Sequence, residues 1–173
     1  IHVEDGGKFT IRNNNSGNTS GGAVFVDAGG VLVLSVDGSG RFVFENNQTT
    51  SNGGAIYNLG SLYIENATFA VNQAKRGGAI MSLNGFVNIK NSILDGNPSD
   101  YRGGAIYTQN DSGNKDYGVV YISDSTFRNN VSEGAGAIYN FIDSITHIFN
   151  SSFDNNTALT ADAGALNATN ILN

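Results

Sequence analysis

Four short stretches of the chain alternate apolar and polar residues with a period of two. Leu62-Tyr63-Ile64-Glu65-Asn66 lines up with Val87-Asn88-Ile89-Lys90-Asn91, with Val120-Tyr121-Ile122-Ser123-Asp124 and with Thr146-His147-Ile148-Phe149-Asn150. Such alternation predicts strands with one buried face, and the closing Asn or Asp predicts a turn. Near the start, Val3, Gly7, Lys8, Phe9 and Asn13-Asn14 recur 33 residues later as Val36, Gly40, Arg41, Phe42 and Asn46-Asn47. No stretch carries a 3.6-residue apolar period long enough for a helix.

Two further markers repeat in step with the strands. The first is Gly-Gly-Ala-aliphatic, intact at Gly21-Gly22-Ala23-Val24, Gly53-Gly54-Ala55-Ile56, Gly77-Gly78-Ala79-Ile80 and Gly103-Gly104-Ala105-Ile106. It is degraded at Ala135-Gly136-Ala137-Ile138 and Ala163-Gly164-Ala165-Leu166. Its second Gly recurs at intervals of 32, 24, 26, 32 and 28 residues. The second marker is an apolar residue followed three positions later by Asn. It starts at Ile11, Phe44, Phe69, Leu94, Phe127 and Phe153, and ends at Asn14, Asn47, Asn72, Asn97, Asn130 and Asn156. From that Asn to the second Gly of the next motif is always six to eight residues.

Two markers in constant phase define a repeat, and a repeat of three short strands cannot bury its apolar face alone. Stacking the units about 4.8 Å apart gives each strand a partner above and below. The expected architecture is therefore all-β: a right-handed parallel β-helix of about six coils, forming one domain over residues 1–173. The column Val24, Ile56, Ile80, Ile106, Ile138, Leu166 is expected to point inward, with the Phe column as a second internal stack. Asn at one turn of every coil is expected to form an amide ladder, and Gly-Gly to mark a corner where a side chain would clash. Coils one and four carry extra residues, around Asp27 to Gly40 and Thr108 to Gly118. The pattern is already running at Ile1 and still running at Asn173, which predicts a segment of a longer protein.

Composition narrows the function. The chain has 23 Gly and 25 Asn but one Pro and no Cys. Gly and Asn enter left-handed backbone at low cost, as many tight turns require. A net charge of −6 and nine scattered Lys and Arg argue against nucleic acid and anionic membrane surfaces. No apolar run reaches the roughly 18 residues of a membrane span, so direct membrane insertion is not expected. Without Cys there are no disulfides or thiolate metal sites.

The Gly-Gly-Ala-(Ile/Val) and Phe-x-x-Asn motifs, taken together, resemble the repeats of chlamydial polymorphic membrane proteins and related autotransporter passenger domains. The resemblance spans nearly the whole chain. It implies a β-helical passenger, surface location and adhesion to host cells, with autotransport implied by the resemblance alone.

Parallel β-helices also host polysaccharide lyases and hydrolases, which need converging carboxylates or a Ca²⁺ site beside a base. The candidates are Asp95, Asp100, Asp111, Asp116, Asp124 and Asp154, and no two Asp are adjacent. His147 aligns with Tyr63, Asn88 and Tyr121 at an outward strand position. The loop Asp111, Lys115, Asp116, Tyr117 offers oxygen atoms for binding but lacks the spacing of a calcium loop. A column of Phe25, Tyr57, Met81, Tyr107 and Tyr139 directly follows the aliphatic column. If alternation holds, these side chains form an outward ladder able to take sugars or a partner; if not, they point inward, and both orientations stay open. Nine Asn-x-Ser/Thr sequons arise wherever Asn turns meet Ser or Thr. The function expected is a non-catalytic adhesin segment, extracellular or on the cell surface. No cofactor and no metal are expected. Its expected partners are a host-cell receptor or surface glycan, neighbouring coils, or a second copy of itself. The alternative is a polysaccharide-active enzyme.

Overall fold

The alternating stretches fold as strands that pair in parallel with their equivalents one repeat away. A computed structural model of the chain describes residues 1–111, 118–160 and 163–167. The first sheet stacks His2–Val3, Val31–Val36, Ser61–Glu65, Phe86–Lys90, Val119–Ser123 and Ile145–Phe149, in chain order. The second stacks Lys8–Arg12, Arg41–Glu45, Ala67–Ala70, Ile93–Asp95, Thr126–Arg128 and Ser152–Asp154. The third stacks Val24–Val26, Ile56–Asn58, Ile80–Leu83, Ile106–Gln109, Ile138–Phe141 and Leu166–Asn167. The chain thus winds through three six-stranded sheets, a parallel β-helix, and the described residues contain no helix.

Register follows the repeat residue by residue. Val87 stands opposite Leu62 and Val120, and Thr146 opposite Val120. Ile11, Phe44, Phe69, Leu94, Phe127 and Phe153 form one continuous row. The row Val24, Ile56, Ile80, Ile106, Ile138, Leu166 is equally continuous. Both rows pack into one core with Leu62, Ile64, Val87, Ile89, Val120 and Ile122. Each such side chain removed from water contributes about 1.5–3 kcal/mol. Phe44 and Phe69 stack at 4.6 Å and 3° from parallel, and Phe127 and Phe153 at 4.9 Å and 11°, with Leu94 between the pairs.

The Phe-x-x-Asn motif joins three successive coils. Asn72 Nδ2 donates to Asn97 Oδ1 one coil on and to the Phe44 carbonyl one coil back, both at 3.0 Å. Asn72 Oδ1 in turn accepts from the Nδ2 and the backbone N–H of Asn47. The same pattern repeats at Asn97 and Asn130. The ladder runs unbroken from Asn14 to Asn156. Deep burial of these amides is tolerated because every donor and acceptor is used.

The Gly-Gly corner obeys sterics. The second Gly of each of the first five motifs lies so close to the next coil that a Cβ would overlap its backbone, as one at Gly54 would overlap the carbonyl oxygen of Gly78. The first Gly takes a left-handed backbone at Gly21, Gly53, Gly77 and Gly103. The three-strand reading of a coil missed a short fourth element. Ala74–Arg76 pairs with Ser99–Arg102, and Val131–Ser132 with Thr157–Ala158, between the Asn turn and the Gly-Gly corner.

Candidate functional site

The column after the aliphatic row lies outside the main core, as alternation requires, yet most of it is not free. Phe25 is 52% exposed and stacks on Tyr57 at 5.3 Å. Further along, Met81, Tyr107 and Tyr139 are buried in a second cluster with Ala135. Tyr107 and Tyr139 lie parallel at 5.5 Å. The short fourth strands cover them: Arg76 sits over the Tyr101 and Tyr107 rings, and Arg102 over those of Tyr101 and Tyr139. Of the two orientations left open for this column, the structure takes the outward one, but guanidinium stacking covers Tyr107 and Tyr139 and leaves Met81 buried beside them. The neighbours of the column in sequence gave no sign of this, because the covering residues come from the preceding corner.

The Tyr107 hydroxyl donates to Gln109 Oε1 at 3.2 Å, and Gln109 Nε2 reaches both Asp111 oxygens at 2.7 and 2.8 Å. Burial pushes the Tyr107 phenol up to about 12, and it also raises that of Tyr57, with Asp111 adding to both. The Asp111 backbone N–H donates to Asn84 Oδ1 at 2.7 Å. Lys115, Asp116 and Tyr117, the other candidates in that loop, lie outside the described residues.

The candidate carboxylates are dispersed. Asp95 pairs with Arg128 at 2.8 Å and accepts from Asn129, whereas Asp124 accepts from Asn150. Asp100 and Asp154 are exposed on different sheets. Among the described residues no three His, Cys, Asp or Glu are grouped to hold a metal ion. His2 bonds Ser35 and Asp37, and His147 stacks on Tyr121. Two sequon residues, Asn47 and Asn130, are buried in the amide ladder, consistent with sequons arising from turns.

The exposed aromatic surface lies instead on the outer face of the first sheet. Val33, Tyr63, Asn88, Tyr121 and His147 are successive partners in one outward row. Phe86, from the adjacent outward row, leans toward the place where Asn88 supplies no ring. Its centroid is 5.4 Å from that of Tyr63 and 5.8 Å from that of Tyr121, and Tyr121 stacks on His147 at 4.6 Å. Tyr63, Phe86, Tyr121 and His147 therefore make a continuous ribbon across four coils. Tyr63 and Tyr121 are 40% and 43% exposed, and Val31, Val33 and Phe149 extend the apolar surface. Glu65 and Lys90, paired at 3.4 Å, line one margin. Two of the hollows beside the ribbon are the wider ones. One of about 360 Å³ is bounded by Asn88, Tyr121, His147 and Phe149. Another of about 350 Å³ lies where the third sheet turns into the first, bounded by Gly29, Gly60, Ser61, Tyr63, Asn84 and Phe86. The alignment that placed His147 outward held the signal for this ribbon, since it placed Tyr63 and Tyr121 outward with it.

Residues 41–59 match the family model of the Chlamydia polymorphic membrane protein repeat. This segment contains Phe44 to Asn47 and Gly53 to Ile56, one intact copy of each motif. The probable autotransporter YfaL of Escherichia coli (strain K12) is 32% identical over 163 residues, which is 90% of this chain and 11% of that protein. The metabotropic glutamate receptor-like protein R of Dictyostelium discoideum is 28% identical over 148 residues, 85% of this chain and 8% of that one. The chain thus spans about a tenth of the length of these relatives. No solved structure matches at the same stringency. Residues 41–59 thus match a polymorphic membrane protein repeat, and most of the chain is similar to a stretch of a probable autotransporter.

Proposed function

We propose that the chain is a non-catalytic segment of a surface-exposed passenger, a β-helical rod that attaches to a host cell or partner surface through the outer face of its first sheet. The observation that carries this reading is the ribbon of Tyr63, Phe86, Tyr121 and His147 with exposed Val31, Val33 and Phe149 beside it. Apolar surface of this extent rimmed by polar groups is a recurrent mark of interaction sites, and Tyr and Phe are enriched in them. The repeat match and the autotransporter relative support a location at the cell surface or outer membrane. Dispersed carboxylates support a binding rather than a cleaving role.

The test applies the purified chain to host-cell monolayers and a glycan array while turnover of polysaccharides is assayed in parallel. Saturable attachment, weakened by Tyr121→Ala in protein that still folds, is expected. Cleavage of any polysaccharide, or attachment to no surface, overturns the proposal.

A further inference from the structure

Of the hollows beside the ribbon, the one at the corner between the third and first sheets combines ring surface with unused polar groups. Tyr63 and Phe86 meet there at 43°, forming a V-shaped wall. The Ser61 hydroxyl, the Tyr63 hydroxyl and the Asn84 Nδ2 make no hydrogen bond to any described residue. Asn84 is held in place from its other end, where Oδ1 accepts the Asp111 N–H at 2.7 Å. No side chain can enter the hollow from Gly60, where a Cβ would overlap the Gly30 carbonyl oxygen, and Leu59 beside it adds to the apolar lining.

We propose that this hollow binds one neutral hexose or N-acetylhexosamine ring of a surface glycan, with its apolar face on Tyr63 and Phe86 and its hydroxyls on Ser61, Asn84 and Tyr63. The inference rests on the attachment reading above and gives that attachment a ligand class. Its volume of about 350 Å³ falls at the small end of ligand sites. A sugar ring has apolar C–H faces and a polar rim, and the hollow has the matching halves. Charge selects against acidic glycans. No charged side chain lines the hollow, and the chain carries −6 overall.

The test is calorimetric titration of the chain with maltohexaose, cellohexaose and chitohexaose, with oligogalacturonate as the acidic control. Saturable binding of at least one neutral hexasaccharide and none of oligogalacturonate is expected. Tyr63→Ala should weaken that binding about tenfold. Gly29→Asn should weaken it as well. Gly29 has a left-handed backbone that Asn accepts, and nothing lies within 4 Å of its Cβ direction, so the new side chain can enter the hollow without disturbing the fold. Tyr101→Ala, on the covered side of the rod, should change nothing. If no neutral sugar binds, or if both variants bind as the parent does, the inference is overturned. Should the chain then still attach to cells, only the ligand class falls. If sugars bind but cells do not, the hollow stands and the attachment reading falls.

Discussion

Asn97 Nδ2 donates to Asn130 Oδ1 at 3.0 Å, and both side chains are fully buried. Each is at once a donor to the next coil, a donor to the carbonyl of the coil before, and an acceptor for the preceding Asn. A buried amide of this kind can be removed only by leaving several partners unsatisfied.

Asn97→Ala is therefore expected to lower unfolding stability by about 3 kcal/mol or more, since each orphaned buried partner costs about 1–3 kcal/mol. Urea unfolding of the variant checks this. Exposed Asn46, on the turn just before the ladder, should tolerate Gly with little change.

Val71 holds a left-handed backbone, φ 55°, at the turn position where Asn13, Asn46, Asn129 and Asn155 hold theirs. For a β-branched residue that conformation is disfavoured by about 1–2 kcal/mol, and the Val71 side chain is mostly exposed. Val71→Asn should stabilise the chain by about 1 kcal/mol, measured as a raised midpoint of thermal or urea unfolding. A lower midpoint would contradict the assignment of the turn.

Tyr107 is 2% exposed beneath Arg76. Tyr107→Ala should cost about 3–5 kcal/mol of stability, as expected of a buried aromatic. Attachment by the molecules that remain folded should be unchanged. Tyr121→Ala should behave in the opposite way, with attachment lost and stability nearly kept.

Burial holds the Tyr107 phenol protonated up to about 12, whereas in the unfolded chain it ionises near 10. Between these values the unfolded state has lost a proton that the folded state keeps, so stability is full below pH 10 and falls as pH rises toward 12. Tyr107→Phe should flatten that alkaline decline, read as unfolding midpoint against pH. An equally steep decline in the variant would place the responsible group elsewhere.

Fold and site differ in how far the sequence disclosed them. The coil was legible because its constraints act along one column at a time. Gly54 must be small because Gly78 lies next to it, and Asn72 must be an amide because Asn47 and Asn97 flank it, so the same letter returns each turn. The serine ladder of Ser92, Ser125 and Ser151, whose hydroxyls accept backbone N–H groups at 3.1 Å, had the same kind of signal in the recurring Asn-Ser and Asp-Ser pairs. Exposure obeys no such rule. Tyr107 and Tyr121 both point away from the core, and only the return of Arg76 and Arg102 over one sheet distinguishes them. That covering is a contact between different columns, which alternation along a single strand cannot encode.

The third-to-first-sheet corner differs in length from coil to coil: after Asn58 it takes residues 59–60, and after Gln109 it takes 110–118. Both coils nevertheless lie in unbroken register on their neighbours. Height per turn is thus governed by the ladders and girth by the corners. A lineage of such coils is free to diversify what it displays sideways while keeping the same rise from one coil to the next.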